Sequence, residues 1–515
     1  MLRSMRHLRR LFALARLLAR HDALFVLERA GVPASVLRLA ALRVTANSEG
    51  RPGERLARAL TEAGPSFIKL GQALSTRSDL LGEEMTTDLA QLQDNLPPFD
   101  AELARATIAE ELGAPVDELF AEFDNQAIAA ASIAQVHFAV THDGRKVAVQ
   151  VLRPNIEAAF QRDVDLLTWI AEIAERTQPQ LRRLKPIASI ATLAETVELE
   201  MDLRFEAAAA AELAENFKDD PEFKVPDVDW HLTARRVLTT ERLIDGIPLD
   251  DRDAIVAAGH DPVAVLTRAA AASFRQVFRD GFFHADTHPG NMFVLPDGRI
   301  AVVDFGIMGR LDLKSRRTIA EMLVAFLNRD YRRAAEIHFE AGWVPRDRSV
   351  DHFTQACRSI AEPILDKPQN EISIAKLLAQ LFRITETFRM ETQPELLLLQ
   401  KTMLIAEGTA RTLAPEANMW FLIRPLIEDW MRANFGPEAK VRDVIQNLTH
   451  AMERLPDMIS DVERTSRMLA DGKVKLHPDT IRALRGEDGP SRRPSQVLWL
   501  IVLGLLAVFV ITLID

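Results

Sequence analysis

Two acidic motifs on either side of one short hairpin constrain the fold of this chain more than any other feature. The first motif is HADTHPGN, in which Asn291 follows Asp286 at the fifth position. A period-2 pattern over residues 292–303, with a turn at 296–298, predicts the hairpin, and Asp304-Phe-Gly follows it directly. A hairpin returns the chain to its starting point, so we expect the two loops to meet. Asn291 and Asp304 would then supply two oxygen ligands of the kind that magnesium prefers.

The spacing H-x-D-x-x-x-x-N followed by D-F-G is that of a protein-kinase catalytic loop and magnesium motif. It predicts ATP or ADP with Mg²⁺ as cofactors, Asn291 and Asp304 as metal ligands, and Asp286 as the base that accepts a hydroxyl proton. Taken singly, Asp286 could be a helix N-cap, Asn291 a turn residue and His284 a loop histidine, but the joint match favours catalysis. Zinc held by His284 and His288 is disfavoured, because a Pro-Gly pair interrupts the segment and no third ligand cluster is nearby.

The chain changes pattern in order, without a convincing internal repeat. The predicted elements are helices up to about residue 125, a strand hairpin over 126–155 with its turn at 142–144, helices over about 156–177 and 187–217, a strand at 237–241, and helices over about 260–488 interrupted by the hairpin at 292–303. The predicted domains are a basic amphipathic helical N-terminus at 1–60, a helical extension at 61–125, a kinase-like N-lobe at 126–245, a helical C-lobe at 246–485, a linker at 486–495 and a transmembrane anchor at 496–515. The predicted fold class is α+β, a bilobal protein-kinase-like fold with a helical N-terminal extension, a helix-rich C-lobe and one C-terminal transmembrane helix.

The two ends of the chain carry the membrane signals. Residues 497–514 are uncharged and, as a helix, would be roughly 27 Å long, enough for one bilayer crossing. A buried core helix would show a polar face, and this stretch has none. Arg492 and Arg493 precede it and only Asp515 follows, which predicts that the bulk of the protein stays on the cytoplasmic side of the membrane. At the other end, arginines recur among apolar residues over 1–25, which predicts an amphipathic helix that lies on anionic lipid or packs on its own domain.

Composition excludes several classes of function. Lys plus Arg (63) against Asp plus Glu (74) gives a net charge of −11, so a nucleic-acid binder that relies on a basic surface is not expected. The single cysteine, Cys357, allows no internal disulfide and no thiolate metal cluster, which excludes a secreted disulfide scaffold. Arginines interrupt the N-terminal apolar run, so no secretory signal is predicted.

Three further segments, together with the two motifs, carry a family resemblance. They are Lys69-Leu-Gly71-Gln72 in FIKLGQALSTR, Ala129-Ala130-Ala131-Ser132 ahead of the first strand, and Glu200-Met-Asp202 in ELEMDLRFEA. From about residue 60 to about 310 the chain resembles the UbiB or AarF-domain kinase-like family of ubiquinone biosynthesis. The resemblance implies membrane lipid, quinone-type isoprenoid intermediates and other ubiquinone-biosynthesis proteins as partners, and no nucleic acid.

The resemblance also implies roles for two of these segments. It places the helix with Lys69 and Gln72 over the nucleotide site, with Gly71 permitting close packing, although Lys69 by itself would be interpreted as a solvated lysine. It implies that residues 129–132 bind nucleotide in place of the usual glycine-rich loop. Alanine resists the positive φ angles that let a backbone wrap closely around phosphates, so this loop should bind nucleotide differently from that of an ordinary kinase.

Acidic residues complete the predicted site. Asp202 and Glu206 stand four apart on one face of the helix predicted over 187–217, whereas Glu200 lies roughly 200° round the helix from Asp202. By resemblance, Glu206 matches the glutamate that pairs with the strand lysine of kinases. The resemblance also places Glu241 at the nucleotide hinge, where it would act through its backbone.

One position departs from the family pattern. The strand lysine that contacts the α and β phosphates should fall in VAVQV, where this chain has Gln150. Gln150 remains a candidate nucleotide-binding residue, because glutamine donates hydrogen bonds, but it brings no positive charge. Lys146 shares its strand face but lies about 13 Å away, so Lys69 is the expected stand-in. We therefore expect nucleotide binding to be weakened, rearranged or lost.

The segment after Asp304-Phe-Gly enters a helical pattern almost at once. This leaves no room for a normal activation segment and predicts that the chain does not phosphorylate other proteins. The predicted function is that of a membrane-anchored atypical kinase-like ATPase that supports ubiquinone biosynthesis, and the quinone role rests on resemblance alone. Two alternatives stay open: a catalytically impaired pseudokinase scaffold that holds lipid intermediates or biosynthetic partners, and a small-molecule phosphotransferase.

Overall fold

The structure is a computed structural model, and the chain divides into two units, Met1–Arg432 and Ala433–Asp515. The described residues are 2–435, except for 30, 31, 33, 43, 46, 47, 76–82, 90, 91, 93–95, 178–185, 366–379, 381, 382, 386, 391–393 and 418. The predicted linker at 486–495 and anchor at 496–515 therefore lie outside the described residues. Within the part of the chain that is described, no helix is both long enough and apolar enough to cross a bilayer.

Helices make up most of the described chain, and eleven short strands are set among them. Helices α1 to α9 are Leu2–Arg20, Phe25–Arg29, Ala34–Ala41, Pro52–Ala63, Pro65–Ser75, Glu83–Leu89, Ala101–Leu112, Val116–Leu119 and Ile156–Thr177. Helices α10 to α18 are Pro186–Glu200, Leu203–Asn216, Arg252–Ala257, Pro262–Phe274, Leu313–Leu327, Tyr331–Glu340, Val350–Ala361, Pro394–Leu413 and Met419–Phe435. Strands β1 to β11 are Phe120–Phe123, Ala129–Ala130, Ala134–Thr141, Lys146–Leu152, Phe223–Lys224, Val237–Glu241, Ile247–Pro248, Phe282–His284, Met292–Val294, Ile300–Val302 and Met308–Arg310.

The N-terminal helix α1 packs on the protein itself. Leu11, Ala15 and Leu18 recur at helical spacing and are buried in one apolar cluster with side chains of α4 and α9. Arg10, next to Leu11, forms an ion pair with Asp163 of α9. Of the two expectations for this segment, packing on its own domain is the one that the structure shows.

A five-stranded antiparallel sheet forms the first lobe. Its strands lie in the order β1, β3, β4, β6, and β2 pairs with Gln135 and Val136 near the start of β3. The hairpin predicted over 126–155 and the strand predicted at 237–241 are confirmed, and Gly144 in the hairpin turn has a φ of 83° that favours glycine. The prediction of helix up to about residue 125 is wrong at 120–123, because buried Phe120 pairs along β3 as part of β1.

The helix predicted over 187–217 is two helices, α10 and α11, and Asp202 is the reason. Its backbone is extended, with φ −118° and ψ 92°, and its side chain accepts the backbone N–H of Arg204 at 3.2 Å. An aspartate in this role caps a new helix instead of continuing the old one. Asp202 therefore does not share a continuous helical face with Glu206, and Glu200 is the last residue of α10.

The second lobe is helical around two small sheets. One sheet has the strand order β5, β10, β9, β7, and it includes the hairpin predicted over 292–303, with Gly298 at φ 83° in the turn. The other is the pair β8 and β11, in which His284 lies opposite Met308. The prediction that 260–488 is helical apart from one hairpin missed these two strands, because three residues are too few to show a period.

Helix α14 begins almost immediately after the DFG motif. Asp312 caps it by accepting the backbone N–H of Ser315 at 2.7 Å. Only β11 and one short turn separate Asp304 from this helix, which confirms the absence of a long activation segment.

Candidate active site

Buried His284 joins the two motif loops. Its Nδ1 accepts the backbone N–H of Asp286 at 3.2 Å, so its Nε2 donates to the carbonyl of Val303 at 3.1 Å. Burial lowers the pKa of His284, which keeps the ring neutral and able to fill both roles. The N–H of Val303 also donates to the carbonyl of Asn291 at 2.9 Å. These bonds tie the catalytic loop to the residue that precedes Asp304.

Asn291 and Asp304 present the oxygen atoms suited to a metal. Asn291 is 6% exposed and its Nδ2 donates to the carbonyl of Asp286 at 3.1 Å, which leaves Oδ1 as its ligand atom. Asp304 is exposed and has a φ of 63°, a conformation that costs a residue other than glycine roughly 1–3 kcal/mol. The surroundings hold this strain, because Phe305 is buried and Gly306 donates its N–H to Asp304 Oδ1 at 3.3 Å.

These two side chains fit a magnesium ion that shares its coordination with phosphate oxygens. Magnesium at phosphate sites takes one or two protein oxygens and completes its octahedron with phosphate and water. Within the described ranges, no group of three or more His, Cys, Asp or Glu side chains is arranged to hold a metal ion. His288 Nδ1 accepts the backbone N–H of Gly290 at 3.1 Å, and this hydrogen bond stabilises the turn of the loop.

Gln150 occupies the position of the kinase lysine and contacts the matching glutamate. Its Nε2 donates to Glu206 Oε2 at 3.2 Å, and Glu206 Oε1 accepts the N–H of Phe305 at 3.2 Å. Burial, together with the negative charges of Asp304 and Glu200, raises the pKa of Glu206 to about 8. The charged pair of ordinary kinases is therefore a neutral hydrogen-bonded pair here at neutral pH.

Lys69 reaches the same acidic group from α5. Its Nζ lies 2.9 Å from Glu200 Oε2, and the two side chains are 11% and 13% exposed. The negative charge of Glu200 also contributes to the raised pKa of Glu206. The structure thus shows two contacting pairs, Lys69 with Glu200 and Gln150 with Glu206.

Two other residues of the family motifs have supporting positions. A Cβ at Gly71 would meet the terminal methyl groups of Leu92 and Leu60, so a larger residue there requires these two side chains to move. Gln72, on the same helix, is partly buried. Asp202 pairs with Arg204 at 2.6 Å and caps α11, and these contacts are its described role.

The alanine segment forms a closed turn at the edge of the first lobe. Its first residues, 129–130, are strand β2, and Ala131 donates its N–H to the carbonyl of Ala134 at 2.8 Å. Arg153 donates to the carbonyl of Ala131 from Nε at 3.1 Å and from Nη2 at 2.9 Å, and Ser132 is fully buried. The turn is thus fixed by its own contacts, unlike an open glycine-rich loop.

Glu241 ends strand β6 and is held by its neighbours. Its N–H donates to the carbonyl of Asp227 at 2.8 Å, and its side chain pairs with Lys224 at 2.6 Å. The N–H of Glu241 is therefore already bonded, so the predicted hinge contact through the Glu241 backbone would use its carbonyl group.

Lys401 is a site residue that the sequence analysis missed. Its Nζ donates to Asp286 Oδ1 at 2.8 Å, and the two side chains are 38% and 27% exposed, respectively. It lies on α17, far along the chain, in the stretch PELLLLQKTMLIAEG. The only available signal was a lysine in the middle of a strongly apolar helix, and no motif pointed to it.

The fold and the site define the class: a protein-kinase-like protein, with a sheet lobe, a helical lobe, an HxD loop and a DFG motif. Residues 91–338 match the ABC1 atypical kinase-like domain, and residues 357–418 match the UbiB helical domain, which includes Lys401.

Known proteins show the same relationship. A Marinobacter nauticus protein named "Probable protein kinase UbiB" is 43% identical over 410 residues, which are 79% of this chain and 75% of that protein. An Azotobacter vinelandii protein of the same name is 42% identical over 415 residues, which are 80% and 76% of the two chains. A solved structure of a Mycobacterium tuberculosis protein in complex with erythromycin has a TM-score of 0.51 and 26% identity, covering 72% of this chain and 93% of that one. The chain belongs to the UbiB family of atypical kinase-like proteins.

Proposed function

We propose that this protein is a membrane-anchored atypical kinase-like ATPase that binds Mg-ATP at the described site and supports ubiquinone biosynthesis. The observation that carries the proposal is the double link through His284 and Val303, which fixes the loop of Asp286 and Asn291 against Asp304. Loops held in this way can present two metal ligands and one base to the same phosphate group.

Each residue has a separate task in this proposal. Asn291 and Asp304 would hold the magnesium ion, which neutralises phosphate charge when bound. Asp286 orients the acceptor hydroxyl or water and takes its proton. Glu206 accepts hydrogen bonds from Gln150 and from the N–H of Phe305, and so it holds α11 in position against the DFG segment.

The acceptor in this proposal is water or a small, lipid-like molecule. The immediate start of α14 leaves no platform for docking a peptide, and α5 with Lys69 lies at the acidic group of the site. The apolar stretch at 497–514 would anchor the chain at the cytoplasmic face of the inner membrane, beside membrane lipid and quinone-type intermediates. Other ubiquinone-biosynthesis proteins are the proposed protein partners.

The test is quinone content, measured by mass spectrometry, in a deletion strain rescued with one of three forms of the chain. The wild type should restore quinone, whereas Asp286→Ala, which removes the base, and a chain without residues 496–515, which removes the anchor, should fail at matched expression. Full restoration by Asp286→Ala would remove catalysis from the proposal. Full restoration by the shortened chain would remove the anchor.

The neutral Gln150–Glu206 pair favours a second candidate, a pseudokinase scaffold that holds lipid intermediates or partners. Without a cation at this position, nucleotide phosphates lose one attractive contact. The scaffold predicts rescue by Asp286→Ala, whereas the ATPase predicts that this variant fails.

A further inference from the structure

We infer that Lys401 is a catalytic residue, a cation that contacts the terminal phosphoryl group of the nucleotide and supplies positive charge that Gln150 lacks. This inference rests on the proposed function, because it requires nucleotide at the site. It assigns a chemical role to the helical segment that follows the kinase-like domain.

The charges of the site single out Lys401. The two motif loops carry the carboxyl groups of Asp286 and Asp304, and Glu206 accepts the backbone N–H of Phe305, the residue after Asp304. Lys69, on α5, is held in a largely buried ion pair with Glu200. Lys401 instead touches Asp286, the residue that stands beside the acceptor hydroxyl and the transferring phosphoryl group in kinase chemistry.

Packing fixes the position of Lys401. Leu399, two residues away, is buried in the same apolar cluster as Ala285, the neighbour of Asp286 in the catalytic loop. At the C-terminal end of α17, the carbonyl of Leu413 accepts a hydrogen bond from Arg252 Nε at 3.1 Å. A helix held at both ends presents its lysine at a defined place, and the 38% exposure of the side chain leaves it accessible to phosphate.

The proposed step balances without any further reactant. The acceptor oxygen forms a bond to the terminal phosphorus, and the bond from phosphorus to the bridging oxygen breaks, leaving its electron pair on the nucleoside diphosphate. The acceptor proton passes to the Asp286 carboxylate. Lys401 keeps all its protons and donates hydrogen bonds to the terminal phosphoryl oxygens, where charge-assisted contacts are strongest.

A purely structural ion pair between Lys401 and Asp286 is the competing explanation. It predicts that removing the lysine changes stability and leaves the preference for ATP over ADP intact. A cation at the terminal phosphoryl group predicts the reverse, because ADP lacks that group. The ratio of the two affinities therefore separates a contact with phosphate from a support for the loop.

The first experiment measures magnesium-dependent binding of ATP and of ADP to the full-length chain by displacement of a fluorescent nucleotide. Lys401→Ala should weaken the binding of ATP about tenfold or more and change the binding of ADP little. A charge-assisted contact of this kind contributes about a factor of ten or more in affinity. Lys401→Arg should retain much of the preference for ATP. Lys218→Ala, at an exposed lysine on a turn, is the matched control and should change neither affinity. An unchanged ratio in Lys401→Ala overturns the inference.

The second experiment uses an ATP whose terminal phosphate carries an acyl group. A nearby lysine amine attacks the acyl carbon, the anhydride bond breaks, and an amide and free ATP result. Peptide mass spectrometry should find Lys401 acylated, with protection by excess Mg-ATP. Labelling of Lys69 alone, in a protein that binds Mg-ATP, overturns this inference and leaves the proposed function standing. No protected labelling together with no Mg-ATP binding overturns both.

Discussion

Glu206 is the buried titrating group of the pair that it forms with Gln150. Its pKa is raised to about 8 from the usual 4.5, chiefly by burial. At pH values between these two, the folded protein keeps a proton that the unfolded chain releases. The stability that Glu206 contributes is therefore fully present below its usual pKa of 4.5, and it is lost as the pH rises through its raised pKa of about 8.

Glu206→Gln should flatten that pH dependence. The amide oxygen can still accept the N–H of Phe305, while the titrating group is gone. In nucleotide-free protein, the thermal midpoint of the wild type should fall between about pH 5 and about pH 9, whereas that of the variant should fall less. At the alkaline end the variant should be the more stable by about 1–3 kcal/mol. Superimposable midpoint curves for the two proteins would show that Glu206 titrates normally.

Gln150→Lys should restore the charged pair. An ammonium beside Glu206 lowers the pKa of that carboxyl group and returns a cation to the phosphate side of the strand. Mg-ATP binding, measured by calorimetric titration, should strengthen about tenfold. Gln150→Met, similar in length and uncharged, is the control and should not strengthen binding. Weaker binding in the lysine variant would mean that this site has adapted to glutamine.

The residues that a motif carries could be found from sequence, and Lys401 could not. Asp286, Asn291 and Asp304 lie within one short stretch, where spacing alone implies that they meet. Lys401 is 115 residues from Asp286 along the chain, and only tertiary packing brings the two together. Nothing local marks such a residue, because a lysine on a helix is usually solvated.

At the scale of elements, helix α5 packs against its neighbours at Gly71, two residues from Lys69. A Cβ at Gly71 would displace the terminal methyl groups of Leu92 and Leu60, whereas a Cβ at Gly408 on α17 meets nothing within 4 Å. The two glycines are therefore a matched pair of test sites within helices.

Gly71→Ala should be less stable than Gly408→Ala by about 1 kcal/mol, because moving the leucine methyl groups offsets the better helix propensity of alanine. Gly408→Ala should be neutral or should stabilise by up to about 1 kcal/mol, since only the propensity changes there. Thermal unfolding of both variants beside the wild type is the measurement. Equal effects at the two positions would contradict the packing seen around α5.

The elements with strong periods were predictable, and those decided by single side chains were not. The hairpin of β3 and β4 alternates over enough residues to set its register. The break between α10 and α11 depends on whether Asp202 caps or continues a helix, and propensity does not decide between the two. Strands β8 and β11 form because they pair with each other, which no local pattern records.

At the scale of the whole molecule, the kinase-like domain does not complete its site alone. Its match ends at residue 338, and the UbiB helical match at 357–418 contains the helix that presents Lys401 to Asp286. The site thus combines a catalytic loop from the kinase-like domain with a cation from the helical segment. This arrangement ties any nucleotide chemistry to the folding of both segments.

The central claim is that Asp286, Asn291 and Asp304 act on one magnesium ion and its nucleotide phosphate. Calorimetric titration of ATP into the full-length chain, with and without Mg²⁺, tests it most directly, with Asp304→Asn alongside. We expect binding in the wild type that requires the metal, and a loss of about tenfold or more in Asp304→Asn, since an amide is a weaker ligand than a carboxylate. Absence of binding in the wild type, or equal metal-dependent binding in the two proteins, would contradict the account.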